Sequence, residues 1–382
     1  MDAIASIFDL EREARRRLPR MLYDYVAGGA GEQLTLRRNR ADLQALVLRQ
    51  HTMRDVAGLN TALDLAGFPA RLPLVLAPAG LAGLAWPNGE CAAARAAARC
   101  GVPFCLSTMS VCAIEDVAAA SAQPFWFQLY LMKDRGISER LLRRAHDAGC
   151  TALVLTLDLH VQGSRWSDVH HGLGLPPRLS PANLADLLGH PRWLLGMAAS
   201  RRYSLGNLAE EVRKAGGMRQ LSAWVASQFD PAFDADTVRW VRQQWQRKLI
   251  LKGVMHADDA RQACALGADG IVVSNHGGRQ LDGAPSSISV LPEIAAAVGG
   301  RLEVYVDGGL RTGADLLKAL GRGARAGLCG RAWVYGLAAG GEDGVVRAIG
   351  LLEAGLRESL TLAGERDVRA IAPGVVTAAP AL

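Results

Sequence analysis

Ser274-Asn275-His276-Gly277-Gly278-Arg279-Gln280-Leu281-Asp282 follows a short apolar run, Gly270 to Val273. The run reads as a buried strand, which places His276 and Arg279 where a strand ends and a loop opens. An α/β barrel keeps its chemistry at that end of its strands. A neutral imidazole takes a proton near neutral pH, and a guanidinium close behind it forks onto a carboxylate. Together they suggest a site that holds a carboxylic acid and removes a proton from it. Adjacent glycines let the backbone pass close to a ligand that a side chain would block. A polar turn whose His and Arg merely face water is the plainer alternative. This specific order of residues behind an apolar strand makes it the minor reading.

The same rhythm extends outward along the chain. Short apolar runs at Leu72 to Ala77, Phe104 to Ser107, Phe125 to Tyr130, Ala152 to Asp158, Leu249 to Val254, Gly270 to Asn275, Glu303 to Asp307 and Gly327 to Gly330 make eight candidate strands. Helical patterning lies between them, at Cys91 to Arg99, Glu115 to Ala120, Ser138 to Ala148, Asp258 to Leu266, Val290 to Val298 and Ala314 to Leu320. Strands alternating with helices call for a parallel sheet, and eight such units predict a closed (β/α)8 TIM barrel. An open doubly wound sheet is the alternative, but no G-x-G-x-x-G turn follows the first strand. Residues 1 to 50 read as a helical lead-in, interrupted by a flexible Ala27-Gly28-Gly29-Ala30.

A barrel of about 250 residues with added segments accounts for the 382 residues as one domain, 1–382. Half of the residues are hydrophobic and 21% are charged, which argues against disorder. A net charge of +6, spread as scattered Arg, does not point to nucleic acid; it suits small anionic substrates or an acidic membrane surface. The cysteines at 91, 100, 105, 112, 150, 264 and 329 form no Cys-x-x-Cys pair, so neither a metal site nor a disulfide framework is indicated. A reducing cytoplasm suits them. The acidic residues Asp2, Asp9, Glu11 and Glu13 are wrong for a secretory signal, and the apolar stretch Leu72 to Trp86 is broken by Pro73 and Pro78. Any membrane contact is therefore expected to be peripheral.

One interval breaks the rhythm, a long insertion at 159–235 on the active-site face. Its 178–219 stretch is rich in Lys and Arg and carries exposed-looking Trp193, Leu194, Leu195, Met197 and Tyr203. Such a segment can serve as a lid or rest on anionic headgroups; a plain surface excursion is weighed equally.

The ends of the strands supply the polar groups. Pro78-Ala79-Gly80 would let a flat ring lie against the backbone. Then come Ser107 and Thr108, Gln128 and Tyr130, Thr156 and Asp158 with Arg165 shortly after, Lys252, and the group Ser274, His276 and Arg279. The last two units look like a phosphate grip: Asp307-Gly308-Gly309-Leu310-Arg311 leads into a helix, and Gly330-Arg331 follows the eighth strand.

With these residues in view, the chain resembles the FMN-dependent α-hydroxy acid dehydrogenases and oxidases. The likeness runs from about Leu18 to Leu362 and is most specific at 274 to 282. Tyr23-Asp24-Tyr25, Trp126 to Tyr130, Leu251-Lys252-Gly253 and Asp307-Gly308-Gly309 add to it. The resemblance implies FMN as cofactor and oxidation of a small 2-hydroxy acid to the 2-oxo acid. By it, His276 is the base and Asp158 its orienting carboxylate. Arg165, Arg279 and Tyr25 hold the substrate carboxylate, and Tyr130 bonds its hydroxyl. Lys252 lies at the N1 and O2 edge of the flavin. Pro78, Ala79, Gly80, Ser107, Gln128, Thr156 and Ser274 line the ring and ribityl chain; Asp307, Gly308, Gly309, Arg311, Gly330 and Arg331 hold the ribityl chain and phosphate.

Within the family, Thr35-Leu36-Arg37-Arg38-Asn39, Leu48-Arg49-Gln50 and Ser110-Val111-Cys112 resemble bacterial L-lactate dehydrogenases, Leu18-Pro19-Arg20-Met21 and Leu81-Ala82-Gly83 resemble mandelate dehydrogenase as well, and glycolate oxidase is also similar. Gly80 favours a dehydrogenase that hands electrons to a quinone or other carrier; the expected location is the cytoplasm or, by peripheral contact, the inner face of the cell membrane. Met109, where glycolate oxidase has Trp, leaves room for lactate or something larger. The family also implies a homotetramer. An oxidase making peroxide, and a flavin-binding barrel without catalysis, are the competing readings.

Overall fold

Continuous apolar runs, rather than alternating ones, mark strands buried on both faces. They are found at β1 (Leu74–Leu76), β2 (Cys105–Ser107), β3 (Trp126–Leu129), β4 (Ala152–Thr156), β5 (Lys248–Val254), β6 (Gly270–Val273), β7 (Glu303–Val306) and β8 (Ala326–Cys329). The computed structural model describes residues 3–171, 180–200, 202–214, 224 and 227–378. Parts of the 178–219 stretch therefore lie outside the described residues.

From β2 to β8 each strand pairs in parallel with the next, and β8 pairs with β1, giving an eight-stranded sheet. A bridge between Leu76 and Phe104 joins β1 to β2 and closes the (β/α)8 barrel. Trp126 on β3 and Tyr305 on β7 meet edge-to-face inside it, with centroids 5.8 Å apart. The hairpin Leu63–Leu65 and Phe68–Ala70 covers the opposite end from the site, where Ala66 N–H donates to Glu303 at the start of β7.

A helix follows every strand. Those after β1, β2 and β3 are Gly89–Cys100, Ile114–Ala120 and Arg135–Asp147; the one after β4 is Ala235–Gln244. Then come Ala257–Ala265, Ser287–Val298, Gly313–Gly321 and Arg331–Ala363. The last has no counterpart in the sequence reading, because its glycines mask the helical period. Its axis breaks at Gly340 and Gly341. Between β4 and Ala235–Gln244 the chain runs through the helices Trp166–His170, Pro181–Leu188, Pro191–Ser200 and Ala209–Lys214.

The lead-in is helical at Ile7–Arg17, Arg20–Ala27 and Leu34–Ala45, but it ends in a strand, Leu46–Leu48, paired antiparallel with Val376–Ala378. The expected flexible break at 27–30 is instead packed: Gly28, Gly29 and Ala30 are buried, and Ala30 N–H donates to Gly278 O at 2.8 Å. A Cβ on Gly29 would lie 2.8 Å from that same carbonyl. These glycines serve close approach to the loop after β6, not freedom of movement.

Candidate active site

Three consecutive left-handed residues turn the chain after β6: His276 (φ 59°), Gly277 (φ 63°) and Gly278 (φ 76°). For a residue with a side chain, that conformation costs roughly 1–2 kcal/mol. It persists because the surroundings over-determine it. His276 N–H donates to Ser274 Oγ at 3.0 Å, and Gly278 N–H donates to Asn275 Oδ1 at 3.1 Å. Asn275 in turn exchanges two amide bonds, of 2.9 and 2.8 Å, with Asn39 of the lead-in.

The turn aims the imidazole at β3 and β4. His276 Nδ1 lies 3.0 and 3.2 Å from the two Asp158 oxygens, and Nε2 lies 3.2 Å from the Tyr130 hydroxyl. A carboxylate only accepts, so Nδ1 carries a proton, and in the neutral ring Nε2 is then the nitrogen with the lone pair. Burial alone would raise the Asp158 pKa; His276 and Lys252 outweigh it and hold the carboxyl below its usual range. Burial, reinforced by the Asp158 charge, pushes the Tyr130 phenol well up, so it stays a donor. One base, its orienting carboxylate and a neutral hydroxyl thus converge at one point.

Beside them stand two guanidiniums with Tyr25 between. Arg279 lies 4.8 Å and Arg165 5.2 Å from the Tyr25 ring centroid. Arg165 pairs with Asp168 at 3.0 Å, whereas Arg279 bonds the Tyr25 and Gly28 carbonyls and has no carboxylate partner among the described residues. Desolvation and then the Arg165 charge pull the Arg279 pKa down. A carboxylate entering here would relieve both.

These groups share a cavity of about 1020 Å³ with Pro78, Ala79, Gly80, Thr156, Lys252, Asp307, Gly308, Gly309, Arg311, Gly330 and Arg331. Ser107, Gln128 and Ser274 lie beneath its wall. Ser107 donates to Gln128, and Gln128 donates to Thr156, which lines the cavity. Lys252 is buried, 3.1 Å from Asp307 and 2.9 Å from Ser274 Oγ. Burial would lower its pKa, but Asp307 and Asp158 hold it above the usual value.

Of the two expected phosphate turns, the first differs from the reading. The helix Gly313–Gly321 starts behind its own Thr312 and Asp315 capping box, and Arg311 N–H already donates to Asp315. Gly309 answers to packing there, since a Cβ would lie 2.6 Å from Asn39 O. The second turn presents a helix start at Arg331 with no side-chain cap. Among the described residues the Arg311 and Arg331 guanidiniums donate to backbone carbonyls rather than to a carboxylate, and burial lowers the Arg331 pKa. A buried Asp307 oxygen accepts no hydrogen bond. Cations without a carboxylate partner among the described residues, an open helix N-terminus and a spare acceptor suit a phosphate and a hydroxylated chain, so the residues fit FMN. Stripped protein given FMN at a hundred times its Kd should gain about 2.7 kcal/mol of stability. A melting curve that FMN does not move would contradict the fit.

The structure adds groups that the sequence left unremarked. Gln280 donates to the Asp158 and Val161 carbonyls, tying the loop after β6 to the loop after β4. Asp168, one turn after Arg165, lines the cavity with an unpartnered oxygen; the i,i+3 spacing was a readable sign of that pair. The apolar group on the insertion is exposed only in part. Met197 is buried, and Trp193 Nε1–H donates to Leu84 O, because Pro191–Ser200 packs on the loop after β1; Leu195 and Tyr203 are exposed.

The chain is similar to known proteins in sequence and in fold. A family model described as FMN-dependent dehydrogenase matches residues 14–378. The chain is 46% identical to an L-lactate dehydrogenase of Caulobacter vibrioides over 96% of each chain. It is 41% identical to one of Alcaligenes faecalis over 99% of this chain and 100% of that one. Among solved structures, the monotopic membrane protein (S)-mandelate dehydrogenase superposes with a TM-score of 0.94 at 37% identity, covering 99% of this chain and 100% of that one. A mandelate oxidase gives 0.83 at 38% identity, covering 96% and 97%.

Proposed function

Because the chain belongs to the FMN-dependent dehydrogenase family, we propose that it oxidises a small, lactate-like L-2-hydroxy acid and passes the electrons to a quinone or similar carrier. The observation that carries this reading is the His276 lone pair, backed by Asp158, facing the same cavity as the unpaired Arg279. When bound, FMN supplies the acceptor for the two electrons that leave the substrate carbon.

The chain's own residues do the rest. Arg279 and Arg165, with Tyr25, hold the substrate carboxylate, which fixes the hydroxyl-bearing carbon near His276 and so supplies much of the rate by orientation. Tyr130 bonds the substrate hydroxyl. His276 Nε2 takes the proton, and Asp158 stabilises the imidazolium. Lys252, Pro78, Ala79, Gly80 and Thr156 line the ring, with Ser107, Gln128 and Ser274 setting that wall from behind. Asp307, Arg311, Gly330 and Arg331 hold the ribityl chain and phosphate, and Gly308 and Gly309 set the backbone beside them. Arg279→Lys keeps the charge but loses the fork, so KM should rise about 10- to 100-fold with FMN retained. An unchanged KM would remove Arg279 from substrate binding.

Lactate is favoured over an aromatic acid by the relatives named L-lactate dehydrogenase. Gly80 supports a carrier over oxygen. Turnover in air with and without a quinone analogue tests this; rapid peroxide release without the carrier would make the protein an oxidase.

The same reading puts the protein at the inner face of the membrane as a peripheral homotetramer. No helix among the described residues is long and apolar enough to cross a membrane. Leu184 and Leu188, one turn apart, and Leu195 are exposed on the insertion. Replacing all three by Ser should abolish flotation with anionic liposomes; undiminished flotation counts against the contact. Deleting the stretch is a poorer test, because Asn207 within it reaches the barrel.

A further inference from the structure

The loop after β2 carries Met109, which lines the cavity across from Gly80; a Cβ on Gly80 would lie 3.1 Å from Met109 Cβ. Two buried polar side chains outside the cavity lining, Asn207 and Glu90, bond the loops that carry these residues.

Asn207 comes from the insertion after β4 and is 2% exposed. Its Nδ2 donates to Ser110 Oγ at 2.9 Å and to the Ser107 and Thr108 carbonyls at 3.1 and 3.4 Å. Its Oδ1 accepts from Ile114 N–H at 2.8 Å. The neighbouring Gly206 N–H adds a bond to Ser110 O. Every bond of the Asn207 side chain falls on the stretch that flanks Met109.

Glu90 comes from the helix after β1 and is 1% exposed. One carboxylate oxygen accepts from Gly83 N–H at 2.8 Å and Val111 N–H at 3.0 Å; the other accepts from Cys112 N–H at 3.3 Å. Its hydrogen-bond partners among the described residues are backbone N–H groups, with no Lys, Arg or His. A buried carboxylate satisfied by backbone N–H groups of two different loops is a costly arrangement to keep unless their spacing matters. Leu81 N–H, bonded to Met109 O at 2.8 Å, completes the link between those loops.

We propose that Asn207 and Glu90 are positioning residues that fix the Met109 loop against the Gly80 loop from opposite sides and thereby set the size of substrate side chain accepted. This rests on the reading of the cavity as a 2-hydroxy acid site. Removing either partner leaves buried backbone groups unpaired, which loosens the loop and lets Met109 retreat.

The test is steady-state kinetics of Asn207→Ala and Glu90→Gln holoenzymes on lactate, 2-hydroxybutyrate, 2-hydroxy-4-methylpentanoate and mandelate. The expected result is a shift of about tenfold in the kcat/KM ratio towards the bulkier acids, carried by KM, in protein that keeps bound FMN. Met109→Ala should give a shift of the same sign, and adding Asn207→Ala to it should add less than the two single effects sum to. A uniform loss on all acids, an unchanged ratio, or full additivity overturns the proposal. If Asn207→Ala fails to fold, Glu90→Gln and Met109→Ala decide by the same ratio. Wild-type protein that oxidises none of the acids refutes the underlying reading instead, before any variant is compared.

Discussion

Replacing His276 by Asn should lower the rate of FMN reduction by substrate about 10²- to 10⁴-fold while FMN remains bound. Asn is the apt replacement because it tolerates the left-handed backbone that His276 occupies, so the turn and its bond to Ser274 survive. What is lost is the lone pair facing Tyr130 and the cavity. Stopped-flow absorbance under argon reads the rate directly. Reduction at the native rate would mean that the proton leaves by another route.

Asp158→Asn should be the second most damaging change, slowing the same step by about 10³-fold. The carboxylate, 3.0 Å from Nδ1, only accepts, which fixes the proton on Nδ1 and steadies the charged ring. An amide can present its N–H there, inverting the tautomer and placing the proton on Nε2, where the base is needed. The substrate KM should change far less than kcat, since Asp158 does not meet the carboxylate. A change confined to KM would reassign Asp158 to binding.

The barrel was legible because strands buried on both faces read as unbroken apolar runs, and all eight ends lie within a few residues of those runs. The helix Arg331–Ala363 was not, for a tertiary reason. A Cβ on Gly344 would lie 1.9 Å from Gly336 O, so glycine there serves close helix crossing, and it blurs the local period. His276, Asp158, Tyr130, Arg279 and Lys252 could be named because each sits at a strand end. Glu90, Asn207, Asn39 and Gln280 could not. Their partners are backbone groups or amides brought near only by folding, and a lone Glu or Asn carries no local mark of that. The insertion shows the same limit. Trp193, Met197 and Leu195 share one short helix, yet two face the barrel and one faces water, because one side of that helix packs on the loop after β1.

The most direct measurement is anaerobic mixing of the purified protein with a panel of L-2-hydroxy acids while the visible absorbance of bound FMN is followed. The expected result is a yellow protein that bleaches rapidly with lactate or a close homologue and leaves one equivalent of 2-oxo acid. A protein that binds no FMN, or whose colour persists with every acid, would contradict it.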